Sequence, residues 1–284
     1  MSDDPQVYLN GSFVPMSEAF VSVNDRGFLL GDACYEATAY YNGSAFHLDR
    51  HLERLASSLN AIKLDFDVDT LTEVHAQLVK RNQLGSEPMA MVYVQVTRGV
   101  APRTHAFPKE AVSPTVYAFA KPVPYLPDGE YPKPVAAISH PDLRWLMPRV
   151  KSTGLLPNVL AKQAAEDAGA VDVVLHRDGV VTEGAHNNVF FVSGGELFTP
   201  PADDLILRGV TRDVVIELAK QNGFVVHERS VSLADVVNAD ELFFTGTTSE
   251  VRPATTLDGQ MVGTGEVGPV TLDLARAFRK ATGT

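Results

Sequence analysis

The sequence predicts an α+β protein of two domains. Two Asn-Gly pairs between alternating apolar residues predict antiparallel hairpins, and other segments repeat apolar residues at helical spacing. Prolines concentrate in one stretch near the middle of the chain, which predicts the connection between the domains. With 284 residues, 45% of them hydrophobic, the chain can bury one large core or two modest ones. We expect a first domain over residues 1–120, a linker over 121–134 and a second domain over 135–284.

The first domain is expected to begin as antiparallel sheet. Segments 7–14 and 35–46 each contain an Asn-Gly pair typical of a type I′ turn. Asp49 is expected to cap a helix, and Thr70 with Glu73 predicts a capping box at the start of a second helix. Two strands separated by an irregular loop complete this domain, at 90–97, 98–108 and 115–120.

The second domain is expected to mix strands with helices. The linker before it carries five prolines, which resist both a helix and a central strand. Asp178-Gly179 and Gly194-Gly195 predict hairpin turns. The predicted strands lie at 135–139, 171–176 and 189–192, and the predicted helices at 211–221, 233–237 and 270–281.

Composition limits the classes of partner. The net charge of −11, from 24 basic and 35 acidic residues without long runs, argues against a nucleic-acid or anionic-membrane partner. Cys34 is the only cysteine, which excludes an intramolecular disulfide and a cysteine-built zinc site. The N-terminus lacks the basic and apolar regions of a signal peptide, and no segment approaches ~18 uninterrupted apolar residues. We expect a cytoplasmic protein. Because the net charge is negative, a small anionic ligand would need a locally positive pocket.

Lys151 is the candidate nucleophile. An apolar run through Trp145 leads to it, and a Ser-Thr-Gly turn and a helix with Pro157 near its start follow. We expect a strand to end against a helix here, at the kind of junction where α/β proteins place their sites. A desolvated lysine beside another cation, such as Arg149, loses its proton readily, and the neutral amine forms Schiff bases with carbonyl carbons. The alternative is an ordinary surface lysine.

Glu183 is the candidate acid. It stands at an expected strand end, before a polar turn and the apolar segment Val189–Phe191. A buried carboxylate at this place hydrogen-bonds a protonated heteroaromatic nitrogen and keeps it cationic, as an electron-sink cofactor requires. The alternative is a solvated hairpin glutamate.

Two turns are candidates for binding a phosphate. Val210 and Thr211 lie where a helix is expected to begin, and the free N–H groups and dipole of a helix start attract anions. Thr247 and two further hydroxyl residues follow Gly246 and offer several donors to one anion. A plain threonine N-cap and a polar loop are the alternatives. The sequence has no Gly-x-x-x-x-Gly-Lys-Ser/Thr pattern, which argues against a P-loop.

Three basic side chains are candidates for holding charged groups of a substrate or cofactor. Arg103 and His105 on the irregular loop are expected to grip a carboxylate, and Arg54 to neutralise a phosphate. Taken singly, each of them is an ordinary surface residue. Together with Lys151 and Glu183 they form the set that a pyridoxal-phosphate enzyme acting on an amino acid needs.

The order and spacing of these motifs resemble the fold-type IV pyridoxal-phosphate family. The likeness is carried by Val150–Ser152, Thr182–Gly184, Asn188–Phe190, Gly209–Arg212 and Thr247–Glu250. The family holds branched-chain aminotransferases, D-amino-acid aminotransferases, (R)-amine transaminases and aminodeoxychorismate lyases. Further segments are most similar to the D-amino-acid aminotransferases, namely Arg26–Phe28, Tyr35–Glu36, His51–Leu55 and Val96–His105.

The resemblance implies a fold and a set of roles. The fold is a small N-terminal α/β sandwich and a larger C-terminal domain with a barrel-like sheet and helices. Lys151 would form the Schiff base with pyridoxal 5′-phosphate, Glu183 would meet the pyridine nitrogen, and Leu207 would lie against the ring. The phosphate would be held by Arg54, Val210, Thr211 and Thr247. The substrate carboxylate would be trapped by Tyr35, Arg103 and His105, the last two from the neighbouring subunit of a homodimer.

The implied reaction is transamination of a D-amino acid with a 2-oxo acid acceptor, 2-oxoglutarate or pyruvate, by ping-pong kinetics through pyridoxamine phosphate. Two departures from the D-specific pattern, Ala185–Asn187 and Gly246, affect secondary hydrogen bonds. Alternatives are another fold-type IV activity, on L-branched-chain acids, (R)-amines or aminodeoxychorismate, and a non-catalytic phosphometabolite-binding protein. Cys34 lies in an apolar-alternating strand, so we expect a packed core thiol and not a nucleophile.

Overall fold

The chain is α+β and its contacts form two compact units. The structure, a computed structural model, describes residues 4–125 and 133–283. The first unit comprises the described residues up to Tyr125 together with Val150–Gly154. The second comprises the described residues from 133 to Arg149 and those from Leu155 onward. Residues 126–132 of the predicted linker lie outside the described residues.

The first unit is built on an antiparallel sheet. Its elements are β1 Gln6–Leu9, β2 Ser12–Pro15, α1 Arg26–Leu30, β3 Ala33–Tyr41, β4 Ser44–Ala45, α2 Leu48–Ala61, α3 Leu71–Arg81, β5 Met89–Thr97 and β6 Thr115–Pro122. Within the described residues the strand order is β2-β1-β6-β5-β3-β4. Helix α2 contacts β3, and α3 contacts β1, β5 and β6, so both helices bury their apolar residues against this sheet.

The two Asn-Gly hairpins are confirmed. Asn10 and Gly11 have φ angles of 49° and 95°, and Asn42 and Gly43 have 48° and 78°. A type I′ turn requires positive φ at both central residues, which asparagine and glycine adopt at low cost. Because each turn fixes the register of its strands, the second hairpin sets the direction of β3, which carries Tyr35 and Glu36.

Of the predicted helix caps of the first unit, Asp49 is wrong, and Thr70 is the N-cap residue of α3 but does not form the predicted capping box. His47, in the left-handed region, precedes α2, and Asp49 lies in the first helical turn. Thr70 makes no capping hydrogen bond; its hydroxyl donates to the carbonyl oxygen of Asp67 at 2.7 Å. A short 3₁₀ turn before α3 already holds Thr70 in a helical conformation, whereas a capping residue needs extended backbone.

The second unit is built on a mixed sheet. Its elements are β7 Val135–Pro141, α4 Leu156–Asp167, β8 Asp172–Arg177, β9 Val180–Val181, β10 Asn188–Ser193, β11 Glu196–Thr199, α5 Val210–Gln221, β12 Val226–Glu228, α6 Leu233–Val237, β13 Glu241–Gly246, β14 Glu250–Leu257, β15 Gln260–Met261 and α7 Pro269–Thr282. Among the described strands the order is β12-β11-β10-β13-β14-β7-β8-β9, and β15 pairs with β14.

The core of the second unit lies where β10 and β13 pair in the middle of the sheet. Phe190 and Phe243 stack with ring centroids 5.0 Å apart, and both side chains are fully buried. The predicted hairpins are confirmed, since Asp178-Gly179 and Gly194-Gly195 all have positive φ. Strand β13 pairs with β10 from its first residue, so Asn188 is held opposite Thr245 at the start of β10.

Strand β14 is the main element that the sequence did not predict. It pairs with both β13 and β7 although it contains Pro253, a residue that normally argues against a central strand. The pairing with β7 shifts register between Ala254 and Thr256, so the ladder is interrupted next to the proline.

In the described part of the chain, no helix combines the length and the apolar character that crossing a membrane requires.

Candidate active site

Lys151 is held by backbone hydrogen bonds to β3. Its carbonyl oxygen accepts from the N–H of Tyr35 at 3.0 Å, and the N–H of Thr153 donates to Ala33 at 3.1 Å. Ser152 forms an isolated bridge with Cys34. The expectation that Lys151 ends a strand is wrong, because residues 142–155 form neither a strand nor a helix. The contacts of Val150–Gly154 assign these residues to the first unit, whereas the sequence prediction put position 151 in the domain 135–284.

Side chains of the first unit surround the lysine. The hydroxyl of Ser58 on α2, which is 2% exposed, accepts from the N–H of Lys151 at 3.1 Å. The Nζ atom of Lys151 lies 4.3 Å from the centroid of the Tyr35 ring, within the range of a cation–π contact. The structure therefore brings together Lys151 and Tyr35, two of the predicted site residues.

Arg54 is paired with a buried carboxylate. Its Nε and Nη2 atoms donate to Glu36 at 2.6 and 2.9 Å, and Nδ1 of His51 lies 2.8 Å from the same carboxylate. Burial alone would raise the pKa of Glu36, but the charge of Arg54 and the hydrogen bonds of His51 and Arg54 hold it well below its ordinary range. Burial lowers the pKa of His51. Glu36 thus fixes the orientation of the predicted phosphate-binding arginine.

Arg103 and His105 have no described contact with the lysine. Both are exposed, and among the described residues no hydrogen bond or ion pair joins either of them to Lys151 or Tyr35. The prediction that these two residues act from a neighbouring subunit is taken up below.

Cys34 is a core thiol. It is fully buried in β3, and burial raises the pKa of its thiol to about 12. A thiol that stays protonated at neutral pH is a poor nucleophile, which agrees with the expectation from the sequence.

In the second unit, Glu183 is the centre of a buried hydrogen-bond network. The carboxylate is 4% exposed and accepts from Arg144 Nη1, from Asn188 Nδ2 at 3.0 Å and from the N–H of Leu207 at 3.1 Å. The alternative reading, a solvated hairpin glutamate, is therefore excluded. Leu207, predicted to lie against the cofactor ring, is held to this carboxylate through its own backbone.

Arg144 and Asp142 complete the network, and the sequence analysis did not find them. Arg144 donates to Asp142 through Nε and Nη2, each at 2.9 Å. Burial alone would raise the pKa of Asp142, but its hydrogen bonds and ion pair with Arg144 lower it to about 2. Burial would lower the pKa of Arg144, whereas Asp142 and Glu183 raise it above its ordinary value. The only local signal was an Asp-x-Arg spacing, which is common in surface turns.

The start of α5 adjoins this network. Gly209 is the N-cap of α5, so Val210 and Thr211 occupy the first turn, and the reading of Thr211 as a plain N-cap is wrong. A Cβ atom at Gly209 would lie 2.1 Å from Oδ1 of Asn188, so only glycine lets Asn188 approach the helix start while it donates to Glu183. The candidate carboxylate and the candidate anion site are thus joined through one asparagine.

The turn after β13 lies beside the same residues. Asn188 pairs with Thr245 across the β10–β13 ladder, and Gly246 ends β13 directly before the half-buried Thr247. A Cβ atom at Gly246 would lie 2.8 Å from Oγ of Ser249, so the turn is closely packed. The second unit therefore brings together Glu183, Leu207, Val210, Thr211 and Thr247.

Arg149 does not act as a lone cation. Its Nε lies 2.6 Å from Asp204 in an exposed ion pair, so its charge is shared and screened by solvent. The expectation that Arg149 promotes deprotonation of the lysine has no support in this geometry.

Comparison with known proteins identifies the family. The sequence profile described as amino-transferase class IV matches residues 33–257. The chain belongs to this family. It is 39% identical over 281 residues to the D-alanine aminotransferase of Staphylococcus aureus strain MSSA476, with 97% of each chain covered. The D-alanine aminotransferase of Bacillus licheniformis is likewise 39% identical, over 97% of this chain and 96% of its own.

Solved structures of class IV aminotransferases share the fold. The branched-chain amino acid aminotransferase of Escherichia coli superimposes with a TM-score of 0.88 at 27% identity, over 98% of this chain and 94% of its own. The expected α+β fold of the fold-type IV enzymes is confirmed.

The family uses pyridoxal 5′-phosphate, and the residues of this chain fit it. A phosphorylated pyridine needs a carboxylate held anionic for its nitrogen, a helix start for its phosphate and an amine for its aldehyde. Glu183 with Arg144, the first turn of α5 and Lys151 are of these types. Arg54, oriented by Glu36, offers a further cation. The chain is a pyridoxal-phosphate-dependent aminotransferase.

Proposed function

We propose that the enzyme transaminates D-amino acids, with 2-oxoglutarate or pyruvate as the acceptor. The observation that carries the proposal is the 39% identity, over nearly the full chain, to relatives named D-alanine aminotransferase. The branched-chain enzymes share the fold at lower identity, so the fold alone does not choose the substrate.

The residue roles in this proposal are those that the family resemblance implies, and the contacts within each unit support them. Nζ of Lys151 would bind the cofactor aldehyde and then carry the proton that leaves the substrate α-carbon. Glu183 would meet the ring nitrogen, and Leu207 would lie against the ring. Pyridoxal phosphate, when bound, would accept the electron pair left by that proton. The phosphate would be held by Arg54, Val210, Thr211 and Thr247.

The Arg144–Glu183 pair supports the role of Glu183. A carboxylate that accepts from a guanidinium, an amide and a backbone N–H is a weak base. Glu183 would therefore leave the shared proton on the ring nitrogen of a bound cofactor. That protonation state is the one in which the cofactor withdraws electrons.

A substrate panel tests the function. D-alanine, D-glutamate, L-alanine and L-leucine are each supplied with 2-oxoglutarate or pyruvate, and formation of the new amino acid is measured. We expect kcat/KM for D-alanine to exceed that for L-leucine by at least about 100-fold, on the order of 3 kcal/mol of transition-state discrimination. A preference for L-leucine would show the branched-chain activity instead, and no turnover with bound cofactor would favour the phosphometabolite-binding alternative.

Borohydride reduction tests the attachment of the cofactor. We expect the purified protein to be yellow, to bleach on reduction, and to yield one phosphopyridoxyl-labelled peptide that contains Lys151. A label on any other lysine contradicts the assignment.

We further propose that the enzyme is a homodimer in which Tyr35 binds the substrate carboxylate together with Arg103 and His105 of the neighbouring subunit. Large apolar side chains are exposed on the single chain, among them Phe20 at 81%, Phe28 at 74% and Leu146 at 73%. We propose that side chains of this group lie at the subunit interface, where large contiguous apolar patches are typically found. Light scattering after size exclusion gives the subunit number.

A mixing experiment tests whether Arg103 acts across that interface. Lys151→Ala and Arg103→Ala chains are each weakly active or inactive alone. If the two residues of one site come from different subunits, random mixed dimers regain one intact site, which restores about a quarter of the wild-type activity. No recovery after unfolding and refolding of the mixture would place both residues in one subunit.

A cytoplasmic location is also proposed. The single cysteine is buried and reduced, as suits a reducing compartment. Cell fractionation with a cytoplasmic marker checks it, and enrichment in the membrane or exported fraction contradicts it.

A further inference from the structure

A buried ionic cluster lies beside the loop that carries Arg103 and His105. The cluster consists of Arg26, Asp32 and Arg98, of which Arg26 is 2% exposed and Arg98 is 9% exposed. The Nε atoms of both arginines donate to Oδ2 of Asp32 at 2.8 Å, and Nη2 of Arg98 donates to Oδ1 at 3.0 Å. One carboxylate thus holds two guanidinium groups side by side.

The second positive charge of the cluster is balanced by the end of α2. Arg98 also donates to the carbonyl oxygens of Ile62 and Lys63, at 2.6 and 3.0 Å, directly after this helix. The carbonyl groups at a helix end carry partial negative charge. Burial alone would raise the pKa of Asp32, but hydrogen bonds and charges from Arg98 and Arg26 lower it. Asp32 therefore stays ionised at neutral pH, and the cluster is fastened to the helix that carries Arg54 and Ser58.

The same two arginines fasten the loop on both sides of His105. Nη1 of Arg26 donates to the carbonyl oxygen of Thr104 at 2.8 Å, and the guanidinium carbon of Arg98 lies 3.8 Å from the centroid of the Phe107 ring. Thr104 is the residue between Arg103 and His105, and its carbonyl group belongs to the peptide bond that leads to His105. The hydrogen bond from Arg26 therefore fixes the plane of the peptide bond between Thr104 and His105. His105 belongs to this peptide unit, and Arg103 is the residue before Thr104.

The loop starts at Gly99, which packs closely against Ser113 at the other end of the loop. The N–H of Arg26 donates to the carbonyl oxygen of Gly99 at 2.9 Å. Gly99 has a φ of 91°, and a Cβ atom there would lie 2.1 Å from the carbonyl oxygen of Ser113. The two ends of the loop are therefore fixed, and the contacts of Arg26 and Arg98 fix points within it.

We propose that Arg26, supported by Asp32 and Arg98, is a positioning residue that sets where Arg103 and His105 meet the substrate carboxylate. The inference rests on the proposed function, in which those two residues bind that carboxylate. The planar fork of Arg26 donates to Asp32 with one nitrogen and to Thr104 with another. Lysine has a single charged nitrogen and cannot span both acceptors, so Arg26→Lys keeps the charge and releases the loop.

Two variants test the inference by different routes. Arg26→Lys removes the hydrogen bond to Thr104, and Phe107→Ala removes the stack on Arg98 at a half-exposed position where folding tolerates the change. For each variant we expect KM for D-alanine and for the 2-oxo acid to rise about tenfold, with kcat within about threefold of wild type and unchanged cofactor content.

Amide hydrogen exchange supplies a readout that does not depend on activity. Peptides that cover residues 101–113 are expected to exchange at least about tenfold faster in both variants than in the wild-type holoenzyme. Arg81→Met is the matched control, because Arg81 also stacks on an aromatic ring, that of Phe13 at 4.4 Å, and within residues 4–125 and 133–283 no hydrogen bond, ion pair or ring contact joins it to this loop. It is expected to leave both KM values and the exchange of 101–113 unchanged.

The outcomes separate the inference from the function. Unchanged KM values in both variants overturn the inference, whether or not exchange becomes faster, and so does an equal rise in KM in the Arg81→Met control. If the wild-type enzyme prefers L-leucine, only the proposed preference for D-amino acids is contradicted. The KM values of the two variants and of the wild type are then compared with L-leucine as the substrate.

Discussion

The lysine region and the glutamate region of this enzyme are built by different means. The segment around Lys151 is held mainly through backbone groups: Lys151 accepts from the N–H of Tyr35 and Thr153 donates to the carbonyl oxygen of Ala33, with the Ser58 hydroxyl as one side-chain partner. Glu183 is held by the side chains of Arg144 and Asn188, and Arg144 is in turn held by Asp142. A backbone ladder survives most single substitutions, whereas a buried charged network fails when one member is removed. The two regions should therefore differ sharply in their tolerance of mutation.

The largest expected effect is the loss of turnover, with cofactor binding retained, when the lysine amine is removed. Lys151→Ala removes the amine that binds the aldehyde and moves the proton, so we expect turnover to fall by at least about 10⁴-fold. The glutamate region stays intact, and the variant should still bind the cofactor without a covalent bond, as measured by absorbance and equilibrium dialysis. Lys220→Ala, at an exposed lysine, is the control and should keep normal turnover. Near-normal turnover of Lys151→Ala contradicts the assignment.

The next effect breaks the glutamate region. Arg144→Met removes the guanidinium that the buried carboxylates of Asp142 and Glu183 share, while Asp142 keeps its ion pair with Arg177, so we expect the free energy of unfolding to fall by about 3 kcal/mol. Turnover should fall by about 10²-fold because Glu183 then competes for the ring proton. Urea unfolding and a pH–rate profile measure the two effects. Arg276→Met, which breaks an ion pair with both partners more than half exposed, should change stability by less than about 0.5 kcal/mol.

Acid should weaken the first unit before it reaches the carboxylates of the second. Burial lowers the pKa of His75 from 6.5 to about 4, while the pKa of Asp142 is lowered to about 2. As the pH falls from 6.5 to 4, the unfolded chain binds a proton that folded His75 does not, so stability decreases by up to about 1.4 kcal/mol per pH unit. His51, whose pKa is also lowered, adds to this slope. Above pH 6.5 neither state binds that proton, and the contribution is constant.

The variant His75→Gln isolates this slope. Urea unfolding between pH 4 and 7 should show a shallower dependence on pH than the wild type, because one of the two histidine contributions is removed. An identical slope in the two proteins would show that His75 does not titrate in this range.

The smallest effect is expected in the lysine region itself. Ser58→Ala removes one neutral hydrogen bond to the N–H of Lys151, but the bonds to Tyr35 and Ala33 remain. We expect a loss of stability of about 1 kcal/mol and less than about threefold change in kcat. A loss of turnover comparable to that of Arg144→Met would show that the lysine, too, depends on a side-chain network.

The sequence predicted the elements whose signals are local. The Asn-Gly turns and helix α6 were found because two to five adjacent residues determine them. Strand β14 was missed, since a proline opposes a central strand unless an irregular register lies next to it. The cap at Asp49 and the capping box at Thr70 failed because the preceding chain had already fixed the backbone.

The sequence predicted residues of the site but not the side chains that hold them in place. Lys151, Glu183 and Thr211 stood out because their neighbours in sequence are unusual, and Arg54 because of the family motif. Glu36 and Arg144, which hold Arg54 and Glu183, lie 18 and 39 residues from the side chains they bind. No short pattern encodes such a pairing, because it is created when distant strands and loops meet. Sequence can therefore suggest a charged group without showing what balances it.

The attachment of Val150–Gly154 to the first unit bears on how the chain acquires its activity during synthesis. The strand that accepts this segment leaves the ribosome more than a hundred residues before it, since Tyr35 and Lys151 are joined directly by a hydrogen bond. The segment that carries Lys151 therefore binds to the edge of β3 after that strand has had time to fold. A fragment that starts at residue 133 would contain the lysine and lack that edge, so cutting the gene between the two halves would yield no reactive piece on either side.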